Sequence, residues 1–318
     1  MAVACGSLIG MVSASPAFAV MVDFDSMTPG NVNGQEGWTV EDSFGNQVTN
    51  FDQSVQDDGS GNQVWRLSNA VATTSYSNQP FSQRSPQVAG ETGSSLFNDF
   101  GANPASPNNP PLAGDGATTN TFHAGFDFRS ATGAAQSGLS IGISPSAKQS
   151  TVRMGLLRLS DNGTGLDLEA YTTGTVAAPF GGAGYETVGD DLSYFDWQRV
   201  DIYIEFADGL NGDTTGNDLV TIYLNGALAY TGPTWESYYA GPPEGPRLQA
   251  VDSLLFRVAG APGTQDEIDA LLGNGIFFDN VVIDNAADPG RSVPEPWSLA
   301  LFGTGLALLG ARRRRART

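Results

Sequence analysis

Gln198-Arg-Val-Asp-Ile-Tyr-Ile-Glu-Phe206 alternates without a break. Val200, Ile202, Ile204 and Phe206 fall on one side, Asp201, Tyr203 and Glu205 on the other. A strand turns successive side chains to opposite faces, so a period of two marks a strand with one buried and one wet face. A second run, Leu219–Leu224, ends in Asn225-Gly226 and leads into Ala227–Tyr230. Asn-Gly between two such runs is a strong hairpin signal, because both positions of the tight turn need positive φ.

The same pattern recurs along the chain. It is present at Gln63–Ser68 and at Thr121–Arg129, where Phe122, Ala124, Phe126 and Phe128 oppose His123, Asp127 and Arg129. Thr151–Leu159 and Leu166–Thr172 form an expected hairpin through Asp161–Gly165, and Ser253–Val258 and Gly275–Ile283 close the set. Outside the termini no long stretch keeps a 3.6-residue period; Gln265–Leu272 is one short helix at most. Many short strands between turn signals, with 40 glycines and 18 prolines, predict an all-β, two-sheet antiparallel jelly roll or sandwich over residues 20–286. Residues 83–120, rich in Pro, Asn, Gly and Ser, are expected as a surface insertion, and 287–293 as a linker.

Charge excludes several functions. The chain has 34 acidic and 15 basic residues, a net charge of −19, and all but one of the acidic residues lie in residues 20–293. Such a body repels nucleic acid and anionic lipid and favours divalent cations. Cys5 is the only cysteine, so no disulfide staples the body.

The termini carry addresses. Residues 1–19 hold no charge, have an apolar centre at Leu8, Ile9, Met11 and Val12, and end Ala17-Phe18-Ala19. A small-x-small ending marks a secretory signal peptide cut after Ala19, although no Lys or Arg precedes the apolar run. At the other end stand Pro294-Glu295-Pro296, an uncharged stretch Trp297–Ala311 and Arg312–Arg315. The prolines keep Glu295 on an extended segment. As a helix the apolar stretch spans about 22 Å, short of the ~30 Å hydrocarbon core. The arginines place the body outside the cytoplasm. This order over residues 294–318 resembles the PEP-CTERM sorting signal of Gram-negative bacteria. The resemblance implies that an exosortase recognises Pro294, Glu295 and Pro296 and removes the tail. It also implies a transient inner-membrane tether, then delivery to the cell surface or exopolysaccharide (biofilm) matrix.

A second resemblance lies in the body. Trp197–Ile204 followed by Val220–Gly226 is similar to the central hairpin of laminin-G-like and concanavalin-like domains. Gly275-Ile-Phe-Phe-Asp-Asn-Val-Val-Ile283 is similar to the last strand of carbohydrate-binding jelly rolls, with Val22–Asp25 as its expected pairing partner. That resemblance implies glycan binding. Tyr223, Asn225, Tyr230, Trp235, Glu236, Tyr238 and Tyr239 are the glycan candidates, since aromatic faces stack on pyranose rings while amides and carboxylates bond hydroxyls. The competing reading, which the sequence favours, is that these aromatics cover an edge of the core. Asp208, Asn211, Asp213, Asn217 and Asp218 form a candidate calcium loop, because hard cations want carboxylate and carbonyl oxygens; Asx turns alone would give the same composition. Asp23 and Asp279 are a second candidate pair.

Catalysis is not expected. Asp167 and Glu169 sit two apart on one strand face, but the Glu-x-Asp-x-Glu run of glucanases with this fold is missing. His123 has no Gly-x-Ser-x-Gly partner, and one His without a cysteine in the body cannot build a zinc site. The leading expectation is an exported matrix protein binding glycan, with exosortase and exopolysaccharide as partners. The alternatives are a secreted glycoside hydrolase or lyase, or a matrix component without ligand.

Overall fold

The computed structural model describes residues 19–40, 51–72, 81–84, 96–97, 118–119, 121–147, 152–173, 182–206, 218–235, 238, 251, 253–258, 260, 262–284 and 288–290. Residues 1–18 of the expected signal peptide, the apolar stretch Trp297–Ala311 and the sorting motif lie outside them; Ala19, the last residue of that peptide, opens the first strand. Among the described residues no helix is long and apolar enough to cross a membrane.

Two eight-stranded antiparallel sheets make the body. Sheet A contains β1 (Ala19–Val22), β3 (Gln53–Asp57), β4 (Gln63–Leu67), β8 (Thr121–Ser130), β14 (Gln198–Glu205), β15 (Leu219–Leu224), β16 (Ala227–Pro233) and β18 (Ile276–Asp284). Their spatial order is β16-β15-β14-β8-β18-β4-β3, with β1 also on β18. Sheet B contains β2 (Trp38–Val40), β5 (Phe81–Arg84), β9 (Ser140–Ala147), β10 (Val152–Arg153), β11 (Leu157–Asp161), β12 (Leu166–Thr172), β13 (Gly184–Leu192) and β17 (Ser253–Arg257). Their order is β13-β12-β11-β9-β17-β5-β2, with β10 on β9. A parallel pair, β6 (Leu96–Phe97) and β7 (Thr118–Thr119), stands apart. Neighbours distant in sequence and two stacked sheets make this the jelly roll expected.

Alternation puts one face of each sheet in the core. Val200, Ile202 and Ile204 of β14 and Phe122, Ala124, Phe126 and Phe128 of β8 are at most 1% exposed. Trp38 and Trp65 lie 4.8 Å apart at the centre. Phe256 meets Trp65 edge-on at 5.1 Å and Phe278 at 5.0 Å. Offset and edge-on contacts of this kind add to the apolar area such rings bury.

Three local details differ from the sequence reading. Thr151–Leu159 is not one strand: the chain breaks at Met154-Gly155, where the Met154 N–H donates to Pro145 O and Met154 O accepts from Trp235 N–H. Gln83 and Arg84 belong to β5 rather than to a loop. The short helix expected at Gln265–Leu272 is present as α1, Gln265–Leu271, started by a reciprocal capping box between Thr264 and Glu267. The pairing expected for Val22–Asp25 occurs, but earlier in the chain: β1 pairs with β18 through Val22↔Val281 to Ala19↔Asp284.

Candidate functional site

The outer face of sheet B concentrates positive charge. Register sets Arg257 on β17, Gly142 on β9, Arg158 on β11 and Glu169 on β12 side by side in one row. The next row holds Leu255, Ser144, Tyr171 and Tyr185. The Arg158 guanidinium lies over the Tyr185 ring at 3.7 Å and donates Nε–H to Glu169 at 2.7 Å. Tyr185 meets Tyr171 edge-on at 4.9 Å, and Tyr171 meets Trp235 at 5.8 Å. Arg153 sits 5.6 Å from the Trp235 ring centre.

Two arginines flank a glycine. Arg158 and Arg257 stand two strand spacings apart, about 10 Å, on either side of Gly142, whose lack of a side chain leaves room for the Leu156 side chain beside it. A Cβ there would reach Leu156 Cδ1 at 3.3 Å and Arg257 Cβ at 3.6 Å. Arg257 is only 8% exposed, whereas Tyr185 is 38% exposed. Burial pushes the Tyr185 hydroxyl above its ordinary pKa, with the charges of Arg158 and Arg257 opposing. A guanidinium stacked on a ring beside a second guanidinium suits a planar anion carried on a sugar.

The outer face of sheet A is polar and its charged groups pair with one another, although the Arg129 Nε is buried without a hydrogen-bond partner. His123 Nδ1 lies 2.9 Å from Asp284 and Nε2 3.1 Å from Asp201. Arg199 donates to Asp201 at 2.7 Å and approaches Asp127 at 3.4 Å. The His123 ring stacks on Tyr203 at 4.4 Å. Arg129 bonds Asp58 and lies 4.8 Å from the Trp197 ring centre.

The glycan candidates read from sequence do not form one platform. Tyr223 faces outward on sheet A and its hydroxyl donates to Asp288. Asn225 sits in the hairpin turn, donating to Gln198 and accepting the Arg199 N–H. Tyr230 turns inward, its hydroxyl pushed up to about 12 by burial. Trp235 is 7% exposed and donates Nε1–H to Tyr171 O, and Tyr238 packs against it at 6.0 Å. Trp235 and Tyr230 therefore serve packing. Glu236 and Tyr239 lie outside the described residues. An apolar cavity beneath Tyr230 and Pro233 has only about 10 Å³, room for one water at most.

Of the calcium loop, Asp208, Asn211, Asp213 and Asn217 lie outside the described residues. Asp218 is 3% exposed with Thr234 Oγ1 at 3.4 Å. Calcium at that loop is a proposal resting on its sequence. Asp279 is held by Asn62 and by the Asn280 N–H, and burial raises its pKa; Asp23 accepts the Asp25 N–H. Among the described residues, three carboxylates close enough to meet one ion belong to Asp167, Asp190 and Asp191. Asp167 and Glu169 share a face but not a partner. Asn162 donates to Asp167, while Glu169 pairs with Arg158.

The sequence reading missed Gly142, Arg158, Tyr171, Tyr185 and Arg257 as a group. They come from five strands, so no local motif joins them. Only the parity of Leu157-Arg158-Leu159 and Leu168-Glu169-Ala170-Tyr171 indicates which side they face.

An antiparallel jelly roll with an acidic body and one cationic, aromatic face is the class that the fold and site define. Residues 292–315 match the PEP-CTERM protein-sorting motif, so the chain is an exported protein sorted by way of exosortase. No curated protein matches the chain in sequence. Among solved structures, an alginate lyase, Aly36B, in complex with alginate trisaccharide is similar at 13% identity and TM-score 0.44, covering 85% of this chain and 99% of that one. The endo-β-1,4-glucuronan lyase of the fungus Trichoderma reesei is similar at 13% identity and TM-score 0.35, covering 86% and 99%. The Bacillus licheniformis β-glucanase is similar at 11% identity and TM-score 0.36, with the same coverage. With polysaccharide lyases among the similar structures, the expectation of a body without catalysis is withdrawn.

Proposed function

We propose that this exported protein engages an acidic polysaccharide at the cell surface through the outer face of sheet B. One observation carries the reading. In a chain of net charge −19, the Arg158 guanidinium stacks on Tyr185 across Gly142 from Arg257. A uronate carboxylate would lie between the two guanidiniums, with the sugar ring against Tyr185. Such charge-assisted pairs contribute about 1.5–3 kcal/mol each. Glu169 holds Arg158 in this orientation.

Isothermal titration of the full chain with a polyuronate and with a neutral glucan tests this. Binding to the polyuronate alone is expected, weakened about tenfold or more in Arg158→Gln and in Tyr185→Ala. Equal affinity for both polymers, or full affinity in both variants, would overturn it. The same mixtures followed by ultraviolet absorbance read out eliminative cleavage, since that reaction leaves an unsaturated uronate at the new end.

A further inference from the structure

Within the segment that joins the body to the sorting motif, residues 288–290 are attached to sheet A. The Tyr223 hydroxyl donates to Asp288 Oδ1 at 2.6 Å, and the Gly290 N–H donates to the same oxygen at 2.8 Å. A Cβ on Gly290 would strike the Tyr223 hydroxyl, so a larger residue there must displace that hydroxyl or the segment itself. Tyr223 is in turn braced edge-on by Tyr203 at 5.8 Å, which stacks on His123, and His123 holds Asp284 at the end of β18. Asp284 and Asp288 are thus fixed at two points on one ladder of side chains, although β15 and β18 are separated by β14 and β8.

We infer that residues 288–290 are a strap docked on Tyr223 that keeps the sorting motif close to the body until the strap lets go. From Gly290, Pro294 can reach at most about 14 Å; from Asp284, with the strap free, about 35 Å. Release of the strap thus more than doubles the distance at which a processing enzyme seated in the membrane could meet Pro294–Pro296. The inference concerns the sorted tail and stands apart from the polysaccharide reading: its test involves no glycan.

Arg291 supplies the probe, since it immediately follows Gly290. Limited trypsin digestion of the full chain, followed by mass spectrometry, compares cleavage after Arg291 with cleavage in Arg312–Arg315 of the same molecule. Cleavage of a locally opening site tracks the open population. Losing one hydrogen bond of ordinary strength shifts that population about fivefold. Tyr223→Phe removes the donor, and Gly290→Ala pushes the strap off by contact. Both are expected to speed the Arg291 cut about fivefold relative to the tail cuts. A wild-type rate at Arg291 in either variant would overturn the strap. So would an equal acceleration at Arg158 and Arg199 inside the sheets, which would mean general loosening.

Discussion

His123, the chain's single histidine, sits 7% exposed between two carboxylates. Burial alone would lower its pKa, but the bonds to Asp201 and Asp284 outweigh burial and hold it above its ordinary value. Burial likewise works to raise Asp201, yet His123 and Arg199 bring it down to about 2. The two shifts are one interaction seen from both ends and do not add. Their signs bracket a pH window. The histidine's contribution is complete below its unfolded pKa of about 6.5 and is lost as pH rises through the higher folded value. The aspartate's is complete above about 4 and is lost as pH falls toward 2. Denaturant midpoints measured across pH are therefore expected to peak between those limits and decline above neutrality. His123→Ala leaves two half-buried carboxylates without their shared donor, at a cost of about 1–3 kcal/mol. It should also remove the decline above neutrality; an unchanged decline would assign it to other groups.

Secondary structure was legible wherever a strand has one wet face. The Asn225-Gly226 hairpin appears as read, with φ of +53° and +77° at its two turn residues. Gly226→Ala is expected to lower stability by about 1 kcal/mol, because a Cβ is strained at that φ whatever space surrounds it. Asn225→Ala also loses the bonds to Gln198 and Arg199. Thermal melts rank the two; if both match wild type, the turn is not fixing the register. Strands with irregular pairing were harder to read. β13 pairs with β12 through register shifts at Leu168, and only two of its residues are buried, so no alternation marks it. β10 and β11 merged into one run because the break at Met154 is made by Pro145 of the preceding strand and by Trp235, which is far from it in sequence. The bulge in β18 was equally hidden: Asn280, at φ +48°, turns its amide to Asp127 across the sheet.

At the scale of the molecule, the fold class could be read from periodicity and the destination from the termini, but the cationic row could not. Arg257, Gly142 and Arg158 meet only because β17 and β11 flank β9, a neighbourhood set by both sheets closing. The same topology fixes when the fold can close. β18 is the last strand, yet it lies inside sheet A, pairing with β8 on one side and with β4 and β1 on the other. Val22 of β1 is buried against a strand at the far end of the chain. Ile276, Phe278, Val281 and Ile283 are all 0% exposed, and burying such side chains contributes about 1.5–3 kcal/mol each. Together that is about 6–12 kcal/mol, comparable with the 5–15 kcal/mol that holds a typical domain folded. A chain ending at Gly290 keeps every strand and the strap, and is expected to melt cooperatively at the temperature of the full protein. A chain ending at Asn274 leaves β8 and β4 without their partner and uncovers the four side chains, and is expected to show no cooperative melt and no dispersed amide spectrum. A cooperative transition in the shorter chain would mean that sheet A closes without its last strand. Its absence would tie completion of the body to emergence of the residues directly before the sorting segment.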